Sequence, residues 1–244
     1  MRSRGVIGII GAMQIEVEAL WSEMENKCTE IHSGITFVSG QLYGRRLVVA
    51  KCGIGKVFAA ICAQTMIMKY APDVIINSGV GGTLTDRLSI GDIALSEYAV
   101  QHDMDTTALG DPAGLVSGIN KVYFEADKKV LSDIEKCISD TGTRCLRGIV
   151  ATGDVFLDDS DRKTEIHRLF DLPDSKCIVC EMEGGAIAQT CYVNGTPFCI
   201  LRAISDGGDE NSAMDYPQFL EMAAGKVTAA LKGYVKNVCL FNDI

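Results

Sequence analysis

The sequence predicts an α/β fold. Short β-branched runs recur along the chain, segments of helical spacing lie between several of them, and the composition, 47% hydrophobic and 23% charged, is that of an ordinary globular protein. Residues 6–10 (Val-Ile-Gly-Ile-Ile) form the opening strand, and residues 15–24 space their apolar side chains as a helix. Residues 36–38 and 47–52 are β-rich and flank Gln41-Leu42-Tyr43-Gly44, a hairpin-like turn. Residues 57–69 are helical, 74–77 (Val-Ile-Ile-Asn) and 93–96 are strands, and 103–120 contain Gly and Pro with little periodicity and make a long loop. Beyond it, helices at 128–139, 162–170, 184–194 and 216–236 alternate with strands at 146–152, 177–181 and 198–204. This alternation, with an antiparallel pair near the start, implies a mixed sheet covered by helices on both faces, in one domain spanning 1–244.

Charge and hydropathy exclude several classes of function. The chain carries 23 Lys and Arg against 32 Asp and Glu, a net −9, and has no basic block, so the counterion-release term that drives nucleic-acid binding is missing. The longest strongly apolar stretch, 57–68, contains Gln64 and lies between Lys56 and Lys69. It is well short of the ~20 residues needed to span a bilayer, so no membrane partner is expected. Met1-Arg2-Ser3-Arg4 and the apolar run after it resemble a signal peptide, but Glu16 and Glu18 follow at once without a small-residue cleavage site. Of ten cysteines, Cys52, Cys62, Cys177, Cys180, Cys191 and Cys199 sit inside apolar runs rather than loops, which points to a reduced, cytoplasmic protein.

Open α/β sheets bind ligands at the carboxyl ends of their strands, so the residues after each strand carry the functional signal. After the first strand, Gly11-Ala12-Met13-Gln14-Ile15-Glu16 puts Glu16 in a first helical turn, where a carboxylate is either a dipole partner or a catalyst. Residues Cys177-Ile178-Val179-Cys180-Glu181-Met182-Glu183 run from an apolar strand straight into two carboxylates, which are costly to desolvate unless paired or functional. In the last strand Arg202 is embedded among apolar residues and Ser205-Asp206 closes it before two glycines. A salt bridge from Arg202 to Glu181 or Glu183 would account for those groups structurally; it leaves Asp206 unexplained. Two Gly-rich turns, Cys52-Gly53-Ile54-Gly55-Lys56 and Ser78-Gly79-Val80-Gly81-Gly82-Thr83, could cradle a ligand, yet neither has dinucleotide or P-loop spacing. Cys177 and Cys180 form one CxxC without a second pair, and His32, His102 and His167 lie in unlike contexts, so no metal site is expected.

Together, Ile7-Gly8-Ile9-Ile10-Gly11-Ala12-Met13 with Glu16, Gly53-Ile54-Gly55-Lys56-Val57, residues 72–77 and Gly91-Asp92-Ile93 form a nearly end-to-end pattern. It continues through His102-Asp103, Gly153-Asp154 with Phe156, Glu181-Met182-Glu183 and Arg202-Ala203-Ile204-Ser205-Asp206. The chain thereby resembles bacterial 5′-methylthioadenosine/S-adenosylhomocysteine nucleosidases of the nucleoside phosphorylase superfamily. The resemblance implies a three-layer αβα fold around a mixed, partly barrel-like sheet, a homodimer, and hydrolysis of adenine nucleosides at the N-ribosidic bond without metal or organic cofactor. It further implies that Asp206, oriented by Ser205, protonates adenine, that Glu16 with Arg202 activates water, and that Glu183 holds the ribose hydroxyls. Phe156 and Leu157 would contact adenine, Met182 the ribose, and Glu181, Gly81 and Gly82 would line the same site. Met13, Ile54 and Tyr216 would line the 5′ side, and the neighbouring subunit's loop with Thr106 and Leu109 would close it. Val80 stands where many relatives carry Ser, Tyr216 where Phe is common, and Leu109 where an aromatic residue is frequent. The alternatives are a phosphate-dependent phosphorylase on the same fold and a nucleoside-binding protein without catalysis.

Overall fold

The computed structural model describes residues 5–238; Met1-Arg2-Ser3-Arg4, discussed above, lie outside it, as does Cys239. The elements follow in the order β1 (Val6–Gly11), α1 (Gln14–Glu23), β2 (Glu25–His32), β3 (Ile35–Leu42), β4 (Arg45–Lys51), α2 (Lys56–Tyr70), β5 (Val74–Thr83) and β6 (Ile93–Gln101). Then come β7 (Phe124–Glu125), α3 (Lys128–Ser139), β8 (Cys145–Thr152), α4 (Ser160–Phe170), β9 (Cys177–Glu181), α5 (Gly184–Asn194), β10 (Phe198–Asp206) and α6 (Ser212–Asn237).

All ten strands of the described residues join one mixed sheet. Its far half closes on itself: β10 pairs antiparallel to β6, β6 parallel to β8, β8 parallel to β9, β9 antiparallel to β5, and β5 parallel to β10. This five-stranded barrel opens from β5 into a wing of β1, β4, β3 and β2. Helices α1, α3 and α6 cover one face, with Leu20, Leu131 and Leu231 in their shared core, while α2 and α5 cover the other through Cys62, Met66 and Ile187. A third core around Phe170 seats α4 beside β8 and β9. The αβα layering and barrel-like sheet agree with the expected fold. Among the described residues no helix is long and apolar enough to cross a membrane.

Three local expectations need correction. Residues 78–83, read as a Gly-rich turn, continue β5 as strand, because small residues are required where β5 lies between β9 and β10 and beneath buried side chains. The edge strand β2 went unrecognised: its sequence, Glu-Asn-Lys-Cys-Thr-Glu-Ile-His, is exposed nearly throughout and has no buried face to impose alternation. Helix α6 starts at Ser212 rather than 216, so Pro217 falls inside it rather than at its beginning. The expected hairpin is present, with Tyr43 and Gly44 (φ 51° and 73°) forming the two-residue turn between β3 and β4.

Candidate active site

A cavity of about 320 Å³ opens at the carboxyl ends of β1, β5, β9 and β10. Five buried charged residues among those described, Glu16, Glu181, Glu183, Arg202 and Asp206, line it from separate parts of the chain.

Glu16 enters from the first turn of α1. Its carboxylate folds back on the preceding loop, Oε2 accepting the amides of Ala12 (2.7 Å) and Met13 (2.9 Å), while Oε1 accepts the Val80 amide (3.2 Å). Burial raises the Glu16 pKa, against the opposing pull of Arg202 and these three amides, which fits a group poised to take a proton. The backbone of Val80, rather than a side-chain hydroxyl, therefore serves Glu16.

Arg202 points from the middle of β10 into a fully buried position. Its Nη2 donates to Asn77 Oδ1 (2.6 Å), to Glu183 Oε2 (3.3 Å) and to Glu181 Oε2. The alternative of one salt bridge thus becomes two. Burial works against the Arg202 charge, but Glu181, Glu183 and Glu16 outweigh it and hold the pKa above the ordinary guanidinium value. Glu181 is also held by Thr152 Oγ1 and by the amides of Glu183 (3.0 Å) and Gly184 (2.7 Å) at the start of α5. Its carboxylate is accordingly engaged by protein donors on both oxygens.

Glu183 sits where β9 turns into α5. Gly55 donates its amide to Oε1 at 2.9 Å. Burial, together with the charges of Glu181 and Glu16, pushes its pKa up to about 7, despite Arg202 and the Gly55 amide. Asp206 ends β10, its Oδ2 2.8 Å from Ser205 Oγ and its Oδ1 accepting the Gly208 amide at 3.0 Å.

The remaining walls are largely apolar. Met13, Ile54, Val80, Phe156, Leu157, Met182 and Tyr216 line the cavity as expected, with Gly81, Gly82 and Ser205. Phe156 meets the edge of Tyr216, ring centroids 5.7 Å apart, and Tyr216 Oη lies 3.2 Å from Met13 Sδ. Ala12, Val155 and Cys180 also line the wall and were not expected there; each is a sequence neighbour of a residue that was. Thr106 and Leu109 do not line this chain's cavity; Leu109, in a short turn at Thr107–Leu109, is 83% exposed. Among the described residues no group of three or more His, Cys, Asp or Glu side chains is arranged to hold a metal, and the Cys177 and Cys180 thiols are both buried and free.

The barrel with carboxylates at its strand ends places the protein in a class, and the family model of the phosphorylase superfamily matches residues 6–236. A 5′-methylthioadenosine/S-adenosylhomocysteine nucleosidase of Shewanella halifaxensis is 40% identical over 218 residues, covering 89% of this chain and 93% of that one. The structure of the Neisseria meningitidis nucleosidase of the same name, in complex with methylthio-immucillin-A, superposes with a TM-score of 0.90 at 34% identity, covering 96% of this chain and all (100%) of that one. Futalosine hydrolase of Helicobacter pylori matches with a TM-score of 0.90 at 28% identity, covering 98% and 100%. The chain belongs to the phosphorylase superfamily and, within it, to the family of 5′-methylthioadenosine/S-adenosylhomocysteine nucleosidases.

Proposed function

We propose that the protein hydrolyses the N-ribosidic bond of 5′-methylthioadenosine and S-adenosylhomocysteine, releasing adenine and the 5′-substituted ribose. The observation that carries this reading is the convergence in one cavity of Glu16, held by three amides, with Asp206 and the Glu183–Arg202 pair. As C1′–N9 breaks, positive charge grows on the sugar and negative charge on the base. Asp206 gives its proton to adenine N7, and Glu16 takes a proton from the water whose oxygen bonds to C1′. Arg202 sets the position of Glu183, which accepts hydrogen bonds from the ribose hydroxyls, and the Phe156 ring packs on the base. No step draws on a metal or organic cofactor. Glu16 favours water over phosphate as nucleophile, because a carboxylate repels a phosphate dianion but assists deprotonation of water.

The test is adenine release from 5′-methylthioadenosine with and without phosphate, with the sugar product identified. Phosphate-independent formation of methylthioribose supports the reading; ribose 1-phosphate formed only with phosphate would replace it by phosphorolysis, and binding without turnover by a non-catalytic role. Because futalosine hydrolase shares the fold, a nucleoside with a large 5′-substituent belongs in the same assay.

We further propose a homodimer in the cytoplasm, with residues 1–244 acting as one catalytic domain. Exposed apolar residues, Val57 (70%) and Phe58 (51%) on α2 and Leu109 (83%), support a partner surface, on which the neighbouring subunit's loop with Thr106 and Leu109 closes the 5′ side. Nine described cysteines, most of them buried, are free, which suits a reducing compartment. Sedimentation equilibrium tests the dimer.

A further inference from the structure

Three of the sequence motifs, Gly53-Ile54-Gly55-Lys56, His102-Asp103 and Gly153-Asp154, contribute charged side chains that do not line the cavity. Those side chains form a closed ring of contacts. Lys56 Nζ bonds Asp103 Oδ1 at 2.6 Å, Asp103 Oδ2 accepts the Asp154 amide at 2.9 Å, and Asp154 Oδ1 accepts the Lys56 amide at 2.8 Å. The ring ties the first residue of α2 to the loops that follow β6 and β8, segments brought together only by the tertiary fold.

Its link to the cavity is one residue long. Gly55, immediately before Lys56, has φ 97° and donates its amide to Glu183 Oε1. A Cβ there would stand 3.0 Å from Asp154 Oδ1, so the turn is packed against the ring as well as bonded to it. Phe156 lies two residues beyond Asp154. We propose that Asp103 is a positioning residue for ribose capture: through Lys56 and Asp154 it holds the Gly55 amide against Glu183. The proposal rests on the reading of Glu183 as the acceptor of the ribose hydroxyls.

This arrangement has an electrostatic consequence that simple scaffolding lacks. The Gly55 amide favours the ionised form of Glu183, so withdrawing it makes that carboxylate harder to ionise. The other groups around Glu183 are Arg202 on β10, Glu181 on β9 and Glu16 on α1. Cys52 after β4 and Tyr216 on α6 also feel its charge, and burial raises the pKa of both, keeping them neutral at ordinary pH. Around Asp103 stand Lys56 and His102, and Arg162 acts on His102 in turn. Burial lowers the His102 pKa.

The experiment measures kcat and KM for 5′-methylthioadenosine between about pH 5.5 and 9, with melting temperatures, for wild type, Asp103→Asn, Lys56→Gln and Glu183→Gln. Asp103→Asn turns an NH₂ toward either the Asp154 amide or the Lys56 ammonium; Lys56→Gln breaks the same link while keeping the Lys56 amide. Both are expected to lose about tenfold in kcat/KM near pH 6, chiefly through KM, and to recover to within about threefold near pH 8.5. A loss equal at every pH, or a wild-type profile in either folded variant, overturns the positioning role. Glu183→Gln is expected to lose activity at every pH without recovery. If it binds and turns over substrate like wild type, the reading of Glu183 fails first and takes the proposal with it. Should Asp103→Asn fail to fold, Lys56→Gln decides alone.

Discussion

Ser205 Oγ lies 2.8 Å from Asp206 Oδ2 and 3.4 Å from the Gly81 carbonyl oxygen. The hydroxyl can therefore turn its hydrogen to Gly81 and accept a proton-bearing Oδ2, or turn it to Asp206 once that proton has gone. With the Gly208 amide fixing the other oxygen, Asp206 is held in one orientation, as the proton-donor role proposed for it requires.

Asp206→Asn preserves shape and removes the transferable proton. Turnover of 5′-methylthioadenosine is expected to fall by about 10²–10⁴-fold, while binding measured by calorimetry stays close to wild type. Near-normal turnover would remove Asp206 from proton donation.

Glu16→Gln tests the opposite end of the reaction. Both carboxylate oxygens accept backbone amides, so a Gln NH₂ must face at least one donor, and the variant loses stability as well as basicity. We expect about 10²–10⁴-fold slower hydrolysis in single-turnover adenine release, together with a lower melting temperature. A variant that hydrolyses normally would exclude Glu16 as the base.

Glu183 links the site to stability through pH. Its folded pKa, about 7, exceeds the ordinary carboxylate value of 4.5, so the native state holds the proton more tightly than the unfolded chain. The resulting stabilisation is fully present below 4.5 and is lost as pH rises through 7. Glu183→Gln removes this dependence. The variant's melting temperature relative to wild type should therefore rise between pH 5 and pH 8, by the equivalent of about 1–3 kcal/mol. A constant difference across that range would show that Glu183 is not held protonated by the fold.

The site was legible in the sequence where a polar group interrupts an apolar run. Glu181, Glu183 and Arg202 announce themselves because a buried charge needs partners, and their mutual pairing supplies them. Family resemblance added roles for Met13, Ile54 and Phe156, which no local pattern marks. Cys180 and Val155 escaped because small apolar side chains read as core whether or not a cavity opens beside them. Barrel closure was legible only through the family resemblance, since β5 meets β9 and β10 from over 90 residues away, as in the separations of 98 between Gly82 and Cys180 and 124 between Gly81 and Ser205. The Lys56–Asp103–Asp154 ring depends on the same kind of distant contact.

Residue 79 shows why glycine composition misled there, and it yields the last prediction. A Cβ on Gly79 would collide with Arg202 Nη1 and stand 2.5 Å from Glu16 Oε1. Strand β5 thus needs glycine to pass beneath the guanidinium and the Glu16 carboxylate, not to turn. Gly79→Ala must displace Arg202, Glu16 or the strand itself, and Arg202 is locked by Asn77, Glu181 and Glu183. We expect a loss of about 1–3 kcal/mol in stability by denaturant titration, with a fall in kcat larger than the change in KM. Gly225→Ala is the contrasting control: it lies in α6, where a Cβ meets nothing within 4 Å. That change should stabilise the helix by about 0.4–1 kcal/mol and leave turnover unaltered. If Gly79→Ala behaved like Gly225→Ala, the close approach of β5 to Arg202 and Glu16 would not be a constraint on the site.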